Sequence, residues 1–478
     1  MNIKIYKTDS IDLQASVAVI TSKEALVDIS YLSEKETAYV QKRIEKGESF
    51  ISVNQFDKII FVVIIDIEKS QPAMLEEARK AGYKVQSVLN EQAYEKVTAF
   101  HSTNQDAVLL AFAEGLAMGS YRFLKYFKNS DDKKVMLKEI GLISKTLTNE
   151  AIDKQTNVVK ALYKVKDMVN EPVSFLNAEQ LAVELEQLCS SVGCNVEILN
   201  KSKIESLKMG GLLAVNKGSV DPPTFTIIEW KPEKVINAKP YILVGKGVVY
   251  DTGGLSLKPT GDSMDYMKSD MSGAAIVGGV LASVASNKLP IHIIALVPAT
   301  DNRPSGNAYA PGDVITIMDG TNVEMLNADA EGRMILSDAL VYAQRYNPEL
   351  VIDVATLTGS ASAAIGSFAL VAMGTASAEI KEQLTKSGEQ VFERIVEFPL
   401  WDDYAELIKS DIADIKNVGG KSAGAITAGK FLQYFTKYPW MHFDIAGVAF
   451  SKKNDNYRGK GGSGFSMRLL YNFFEKMC

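Results

Sequence analysis

Two stretches of this chain place charged residues where the neighbouring sequence is apolar or rich in small residues. The first is Gly245-Lys246-Gly247-Val248-Val249-Tyr250-Asp251-Thr252-Gly253-Gly254, continuing through Lys258 to Asp270. The second is Asn327-Ala328-Asp329-Ala330-Glu331-Gly332-Arg333. An acid set between Val-Tyr and Thr-Gly-Gly is not expected to be fully solvated, and a buried charge must be paired or bound to metal. Four carboxylates plus a lysine form a hard, oxygen-rich set that suits divalent cations. The chain has only three histidines, His101, His292 and His442, and none lies in either stretch. That argues against a histidine-built zinc site and against a Ser-His-Asp triad using these segments. Cation pairs about 3.5–4 Å apart, bridged by carboxylates, are a known hydrolytic device that clamps both attacking and leaving atoms.

Each residue also has a plainer reading. Asp251 before Thr-Gly-Gly is a turn former, and Asp329 is a cap for the helix that follows. Lys246 and Lys258 are solvated charges, Arg333 an ion-pair partner and Met267 core filler. The glycines of 245–254 fit neither G-x-x-x-x-G-K-[ST] nor G-x-G-x-x-G, so a phosphate cradle is a weak alternative. His101, His292 and His442 are read as structural or surface residues, and Cys189 and Cys194 as buried thiols without metal.

The elements that must position the two stretches are legible in outline. Ile59 to Ile65 is a continuous β-branched run, as in a buried strand; Ala73 to Ala81 and Asp106 to Phe127 are helical in pattern. Asn129-Ser130-Asp131-Asp132-Lys133-Lys134 is an exposed loop. A linking helix follows Asn149, with Val158, Leu162, Val165 and Val169 on one face, and stops before Pro172. Asn177-Ala178-Glu179-Gln180 opens another helix with a capping-box-like pattern. Strands are expected at 224–230, 241–249, 292–298, 313–318 and 350–355, and helices at 272–286 and 334–345. Asp319-Gly320 is a hairpin turn. The first stretch begins where Tyr241–Val244 runs out, so it lies at a strand end, where open α/β sheets place their sites. In Asp329–Glu331–Arg333 charges alternate, and an extended segment brings residues i and i+2 to one side. The ligands are therefore expected on a loop, with Gly332 easing its turn. The resulting fold class is α/β with two domains. A smaller α/β domain spans 1–148, and 149–478 forms a larger catalytic domain with a mixed, mostly parallel sheet flanked by helices.

Bulk properties narrow the function classes. At 478 residues, two domains are the default. A net charge of −6 gives no basic footprint for nucleic acid or an anionic membrane. Three cysteines are too few for a disulfide framework. The opening Met1-Asn2-Ile3-Lys4-Ile5-Tyr6-Lys7-Thr8-Asp9 interrupts any apolar run with charges, and no stretch reaches the roughly 18 uncharged apolar residues of a membrane span. A cytoplasmic location is expected.

Together, Gly-Lys-Gly-x-x-x-Asp-Thr-Gly-Gly with Lys258, Met267-Lys268-Ser269-Asp270-Met271 and Asn-Ala-Asp-Ala-Glu-Gly-Arg resemble the leucyl (cytosol) aminopeptidase family. The likeness extends through Asp353-Val354-Ala355-Thr356-Leu357-Thr358-Gly359 and Asp444-Ile445-Ala446-Gly447, and covers essentially all of 149–478. Glu114-Gly115-Leu116-Ala117-Met118-Gly119-Ser120-Tyr121-Arg122-Phe123 is similar to the family as well.

This resemblance implies a metal-dependent aminopeptidase that removes the N-terminal residue, leucine and other apolar residues favoured, using water activated by two metal ions. The tighter ion is implied to be held by Lys246, Asp251, Asp270 and Glu331. The more exchangeable ion is implied at Asp251, at Asp329 through side chain and carbonyl, and at Glu331. Lys246 ligates only as the neutral amine, so its pKa must fall far below about 10.4. Mn or Zn are the foremost ions implied, with Mg and Co also suited. Lys258 is implied to polarise the substrate carbonyl, and Arg333 to hold a bicarbonate that acts as general base. The substrate's free amine would bind a metal, and the backbone around Leu357 would receive the peptide. Met267, Thr356, Gly359, Ala446 and Ala449 would line the pocket for the first side chain, one tolerant of bulky apolar residues. The implied assembly is a homohexamer. Two departures stand out: Ala328 replaces the usual Thr, and one extra residue lies between Lys258 and Asp270. Competing readings are a narrower dipeptidase of the Cys-Gly type, a DNA-binding regulator, which the acidic balance argues against, and an inactive paralogue, which would have lost a ligand.

Overall fold

The structure, a computed structural model, describes residues 3–12, 14–22, 31–102 and 105–478, so Met1 and Asn2 of the opening segment lie outside it. Two units emerge from the contacts within the chain. One is Met1–Tyr163 with Gln390–Phe392 and Lys453–Lys460; the other is Lys164–Glu389 with Glu393–Lys452 and Gly461–Cys478. The helix Asn149–Asn170 runs through the point of division and buries Val158, Leu162, Val165 and Val169.

The first unit carries a six-stranded sheet: β1 (Lys4–Lys7), β2 (Ser16–Thr21), β3 (Phe50–Asn54), β4 (Ile59–Ile64), β5 (Lys96–His101) and β6 (Glu139–Ile143), in the order β1-β6-β5-β2-β4-β3. All neighbours are parallel except β3 against β4. β4 is buried along its whole length, which accounts for its unbroken apolar sequence. The helix expected over Asp106–Phe127 ends at Gly119. Arg122 closes it, donating to the carbonyls of Gly119 and Tyr121 at 2.8 and 2.7 Å, so the last turn is satisfied without further helix.

The second unit is built on β7 (Asn195–Leu199), β8 (Thr224–Trp230), β9 (Tyr241–Gly245), β10 (Gly247–Asp251), β11 (Ile293–Asn302), β14 (Leu350–Ala355), β15 (Leu370–Gly374), β16 (Ile395–Glu397) and β18 (Trp440–Asp444). A small separate sheet holds β12 (Asp313–Thr316), β13 (Asn322–Met325) and β17 (Ile415–Lys416). The large sheet runs β16-β15-β18-β14-β9-β11-β8-β7, with β10 continuing beside β11. Its centre, β18-β14-β9-β11, is parallel, and antiparallel pairs lie toward both edges. Parallel central strands need cover on both faces. One face receives the apolar helix Ser272–Ser286. Together with the turn before it, at Met264–Ser286, it is long and apolar enough to cross a membrane, yet it is almost wholly buried in this unit. On the other face Ile242 and Val244 pack with Met334, Leu336 and Leu340 of the helix Glu331–Ala343.

Two expectations are corrected here. The strand expected at 241–249 is two strands, β9 and β10, interrupted at Lys246. The Lys246 N–H still donates to the Val354 carbonyl of β14, at 3.1 Å. The Lys246 carbonyl turns instead to the N–H of Ala274, at 2.9 Å. The helix expected at 334–345 begins at Glu331, so Glu331, Gly332 and Arg333 sit in a helical first turn, and of the three charges Asp329, Glu331 and Arg333 only Asp329 lies on the loop. Gly332 eases no turn. The Asp319-Gly320 hairpin is as expected, with Gly320 at φ +93° between β12 and β13.

The helix that carries Glu331 and Arg333 is anchored by Asp338. This fully buried carboxylate accepts the N–H of Leu212 at 2.8 Å and of Met318 at 3.0 Å. Asp338→Ala would leave both donors unsatisfied. We expect a loss of about 2–5 kcal/mol, with Asp338→Asn losing less. All three tryptophans, Trp230, Trp401 and Trp440, lie in this unit, so the urea midpoint of tryptophan fluorescence reads the effect; an unchanged midpoint in Asp338→Ala would refute the anchor.

Candidate metal-dependent active site

The carboxyl ends of β9, β14 and β18 lie side by side, and each delivers polar chain into one cavity of about 580 Å³. Lys246 follows β9 directly. Thr356, Leu357 and Gly359 follow β14, and Ala446 and Ala449 follow β18. Asp251 closes β10, and Gly253, at φ +85°, turns the chain back beneath it. Met267 and Asp270 come from the 3-10 turn Met264–Met271. Asp329 comes from the loop before the helix that carries Glu331 and Arg333. Lys258 completes the set, so every site residue expected from the sequence lines this one cavity.

The charges interlock. The Lys246 amine lies 2.8 Å from Asp270 Oδ1 and 2.8 Å from Glu331 Oε1, and donates to the Thr356 carbonyl at 2.9 Å. Asp270 Oδ1 also accepts the Thr356 hydroxyl at 2.7 Å. Lys258 lies 2.9 Å from Asp251 Oδ2 and pairs with Asp329. Asp251 Oδ1 accepts the N–H of Gly253 and Nδ2 of Asn302, each at 2.8 Å. The turn-forming role of Asp251 is therefore real, and its second oxygen still faces the cavity charges. Asp329 makes no capping bond to the helix after it.

Burial and mutual repulsion set the protonation pattern. Desolvation, then Asp251 and Glu331, push Asp329 up to about 7 against the pull of Lys258. Desolvation likewise raises Asp270 well above the usual carboxylate range, and Glu331 above it, with Lys246 opposing both shifts. For Lys246 burial disfavours the cation, but Asp270, Glu331 and Asp251 outweigh it and hold the amine above an ordinary lysine. Lys258 is shifted the same way by Asp251, Glu331 and Asp329. Burial lowers Arg333 to about 10, which keeps it charged at neutral pH.

Divalent ions fit this set. One carboxylate oxygen each of Asp251, Asp329 and Glu331 lie within 4.8 Å of one another. Buried Glu331 Oε2 has no hydrogen-bond partner among the described residues. Acids compressed this closely, with an oxygen left over, are matched by cations that relieve the repulsion among them. Arg333 is 7% exposed; its guanidinium donates to the Asn417 carbonyl at 2.7 Å, while its Nε has no partner among the described residues.

Around this centre Asp444 organises the loops. Its Oδ1 accepts the N–H of Leu357 and of Ala446, both at 3.1 Å, and its Oδ2 accepts the Thr358 hydroxyl at 2.7 Å. The Leu357 N–H is thus already engaged. Within the sheet, buried Asp353 accepts from His442 Nδ1 at 2.6 Å and from Trp440 Nε1 at 2.7 Å, which gives His442 a structural role. Cys189 and Cys194 are buried free thiols. Sequence reasoning passed over Asp444 as a loop organiser, and over Asn302 and Tyr309, which hold the Ala328 carbonyl. Asn302 carried the same signal as Lys246, a polar residue where the apolar run Ile293–Val297 gives out; Tyr309 carried none.

Comparison with known proteins agrees with this arrangement. Residues 163–471 match the profile of the cytosol aminopeptidase family, catalytic domain. A probable cytosol aminopeptidase of Chlorobium limicola is 40% identical over 430 residues, covering 86% of this chain and 84% of the relative. One of Chlorobaculum tepidum is 44% identical over 376 residues, covering 76% and 74%. Among solved structures, the bottromycin maturation enzyme BotP in complex with Mn superposes with a TM-score of 0.85 at 26% identity, covering 97% of this chain and 99% of that one. A mutant tomato leucine aminopeptidase has the same fold, with a TM-score of 0.86 at 24% identity, covering 99% and 96%.

The helical Gly332 offers a direct test of the site's geometry. A Cβ there would stand 2.6 Å from Lys246 Cε and 2.8 Å from its Nζ, and the lysine is pinned by Asp270 and Glu331. Gly332→Ala should displace the amine and weaken Mn²⁺ binding at least about ten-fold, while the urea midpoint stays close to wild type. Wild-type Mn²⁺ affinity in this variant would show that the amine is not part of the cation site.

Proposed function

The chain belongs to the cytosol aminopeptidase family, and from that premise we propose how its own residues carry out the reaction. The protein is a metal-dependent aminopeptidase, a hydrolase that acts on peptides from the N-terminus. Residues 149–478 form its catalytic domain, introduced by a linking helix, and 1–148 a separate α/β domain. Lys246, as the neutral amine once bound cations displace its proton, would hold one divalent ion together with Asp251, Asp270 and Glu331; Asp251, Asp329 and Glu331 would hold the second. Mn or Zn are the leading ions. Bound there, the ions would supply the Lewis acidity that activates water and a point of attachment for the free amine of the peptide. An acylated amine binds poorly to such a centre, which accounts for exopeptidase rather than endopeptidase action.

The remaining chemistry lies with the side chains. Lys258, kept cationic by Asp251, Glu331 and Asp329, directs its ammonium at the scissile carbonyl and stabilises the charge that develops on its oxygen. Arg333 is the residue that would hold bicarbonate, whose contribution is general-base catalysis; its cationic guanidinium and unpartnered Nε support that reading. Met267, Thr356, Gly359, Ala446 and Ala449 receive the first side chain, and the small Ala449 leaves room for leucine, methionine or phenylalanine. The chain around Leu357 supports the peptide beyond the scissile bond. The observation that carries the reading is the convergence of all these residues on one cavity. A homohexamer is the proposed assembly. It rests on the likeness to the cytosol aminopeptidases.

Purified protein should hydrolyse Leu-p-nitroanilide, lose the activity on chelation and regain it with added Mn²⁺, while N-acetyl-Leu-p-nitroanilide stays intact. Lys258→Ala should lower kcat about 10²–10³-fold with metal content unchanged. Values of kcat/KM for Leu, Met and Phe substrates should exceed those for Ala and Gly. A preference for Ala or Gly would contradict the assigned pocket, and activity confined to Cys-Gly would favour the narrower dipeptidase.

A further inference from the structure

Asn302 is the last residue of β11 and is fully buried. Its Nδ2 donates to Asp251 Oδ1 at 2.8 Å and to the Ala328 carbonyl at 2.9 Å, which engages both amide hydrogens. Its backbone carbonyl accepts the Thr252 N–H at 3.1 Å and the Thr252 hydroxyl at 2.7 Å. One residue on a third element thus grips both acid-bearing segments. Tyr309, 2% exposed, donates its hydroxyl to the same Ala328 carbonyl at 2.9 Å. Two donors on one carbonyl occupy both its lone pairs. The Ala328 N–H is held as well, by Ser256 Oγ at 3.0 Å.

The Ala328 carbonyl belongs to the planar peptide unit that leads into Asp329, so fixing that oxygen fixes where Asp329 starts. This matters because Asp329 is the least buried of the cluster's acids and sits on a loop, while Asp251 and Glu331 are set by a strand and a helix. Repulsion among three carboxylates would turn a free Asp329 outward. We infer that Asn302 and Tyr309 are positioning residues that clamp the Ala328–Asp329 peptide and so hold Asp329 within reach of Asp251 and Glu331. The inference rests on the proposed reading of those three acids as cation ligands. Tyr309 acts on the loop alone. Asn302 acts on both segments and links them.

The test is Mn²⁺ binding to metal-stripped full-length protein by titration calorimetry, with Tyr309→Phe, Asn302→Ala, the double variant and Asp329→Asn beside wild type. Wild type should bind two ions. Tyr309→Phe, which removes only a hydroxyl, should weaken one of them about 10-fold and leave the other within about 3-fold. Asn302→Ala should weaken the same ion more, and the double variant should fall short of the product of the single effects, since both donors act on one carbonyl. A merely structural role would lower the urea midpoint without changing the ratio of the two affinities. If Asp329→Asn loosens one ion but Tyr309→Phe leaves both untouched, the clamp is overturned and the ligand assignment stands. If Asp329→Asn leaves both ions in place, the ligand assignment itself falls and the inference with it. Tyr309→Phe and Asp329→Asn together separate these outcomes even if Asn302→Ala does not fold.

Discussion

Mutual repulsion among carboxylates buried at one point is the constraint around which the catalytic unit is arranged. Asp251, Asp270, Asp329 and Glu331 would not gather in a protein interior of their own accord, since each is displaced from water and faces the others at short range. Two things keep them together. Lys246 and Lys258 set two cations among them, and rigid elements hold each acid where its neighbours would repel it. The same repulsion makes the cluster receptive to divalent ions. A site comfortable without cations would bind them weakly.

The rigidity has a clear origin. Parallel central strands end together, and the chain after each end is free of the ladder while its root is fixed by it. β9, β14 and β18 use this to present Lys246, the Thr356–Gly359 loop and the Asp444–Ala449 segment from three adjacent positions. Asp444 then ties two of those loops through one carboxylate. The interruption at Lys246 belongs to the same logic. The Lys246 N–H stays on β14 at the Val354 carbonyl, while its own carbonyl turns to Ala274 at the start of the Ser272–Ser286 helix.

Much of this was legible in the residues because the function depends on local composition that has no other purpose. Lysine after Tyr241–Val244, acid before Thr-Gly-Gly and acid-small-acid before a helix each break an apolar context. Long periodic elements were also clear, such as the helix from Ser272 to Ser286, which has the bounds its pattern suggests. What was missed depended on contacts distant in sequence. The start of the helix at Glu331 was hidden because Gly332 looks like a loop residue; its actual reason is close approach to Lys246, some eighty positions away. The break in 241–249 was hidden because the Ala274 N–H that takes the Lys246 carbonyl sits on a helix almost thirty positions on. Tyr309 has no local signature at all, since a buried tyrosine reads as core until its hydroxyl is seen on Ala328.

The wide spread of the site along the chain has a consequence for biosynthesis. Its charged groups begin at Lys246, yet the strand whose end organises the Leu357 loop, β18, is finished only at Asp444, almost two hundred residues later. A nascent polypeptide emerging from the ribosome therefore carries every acid of the centre well before it carries the strand end that ties the Leu357 loop. In a product cut short before β18, the Leu357 loop lacks the carboxylate that fixes it.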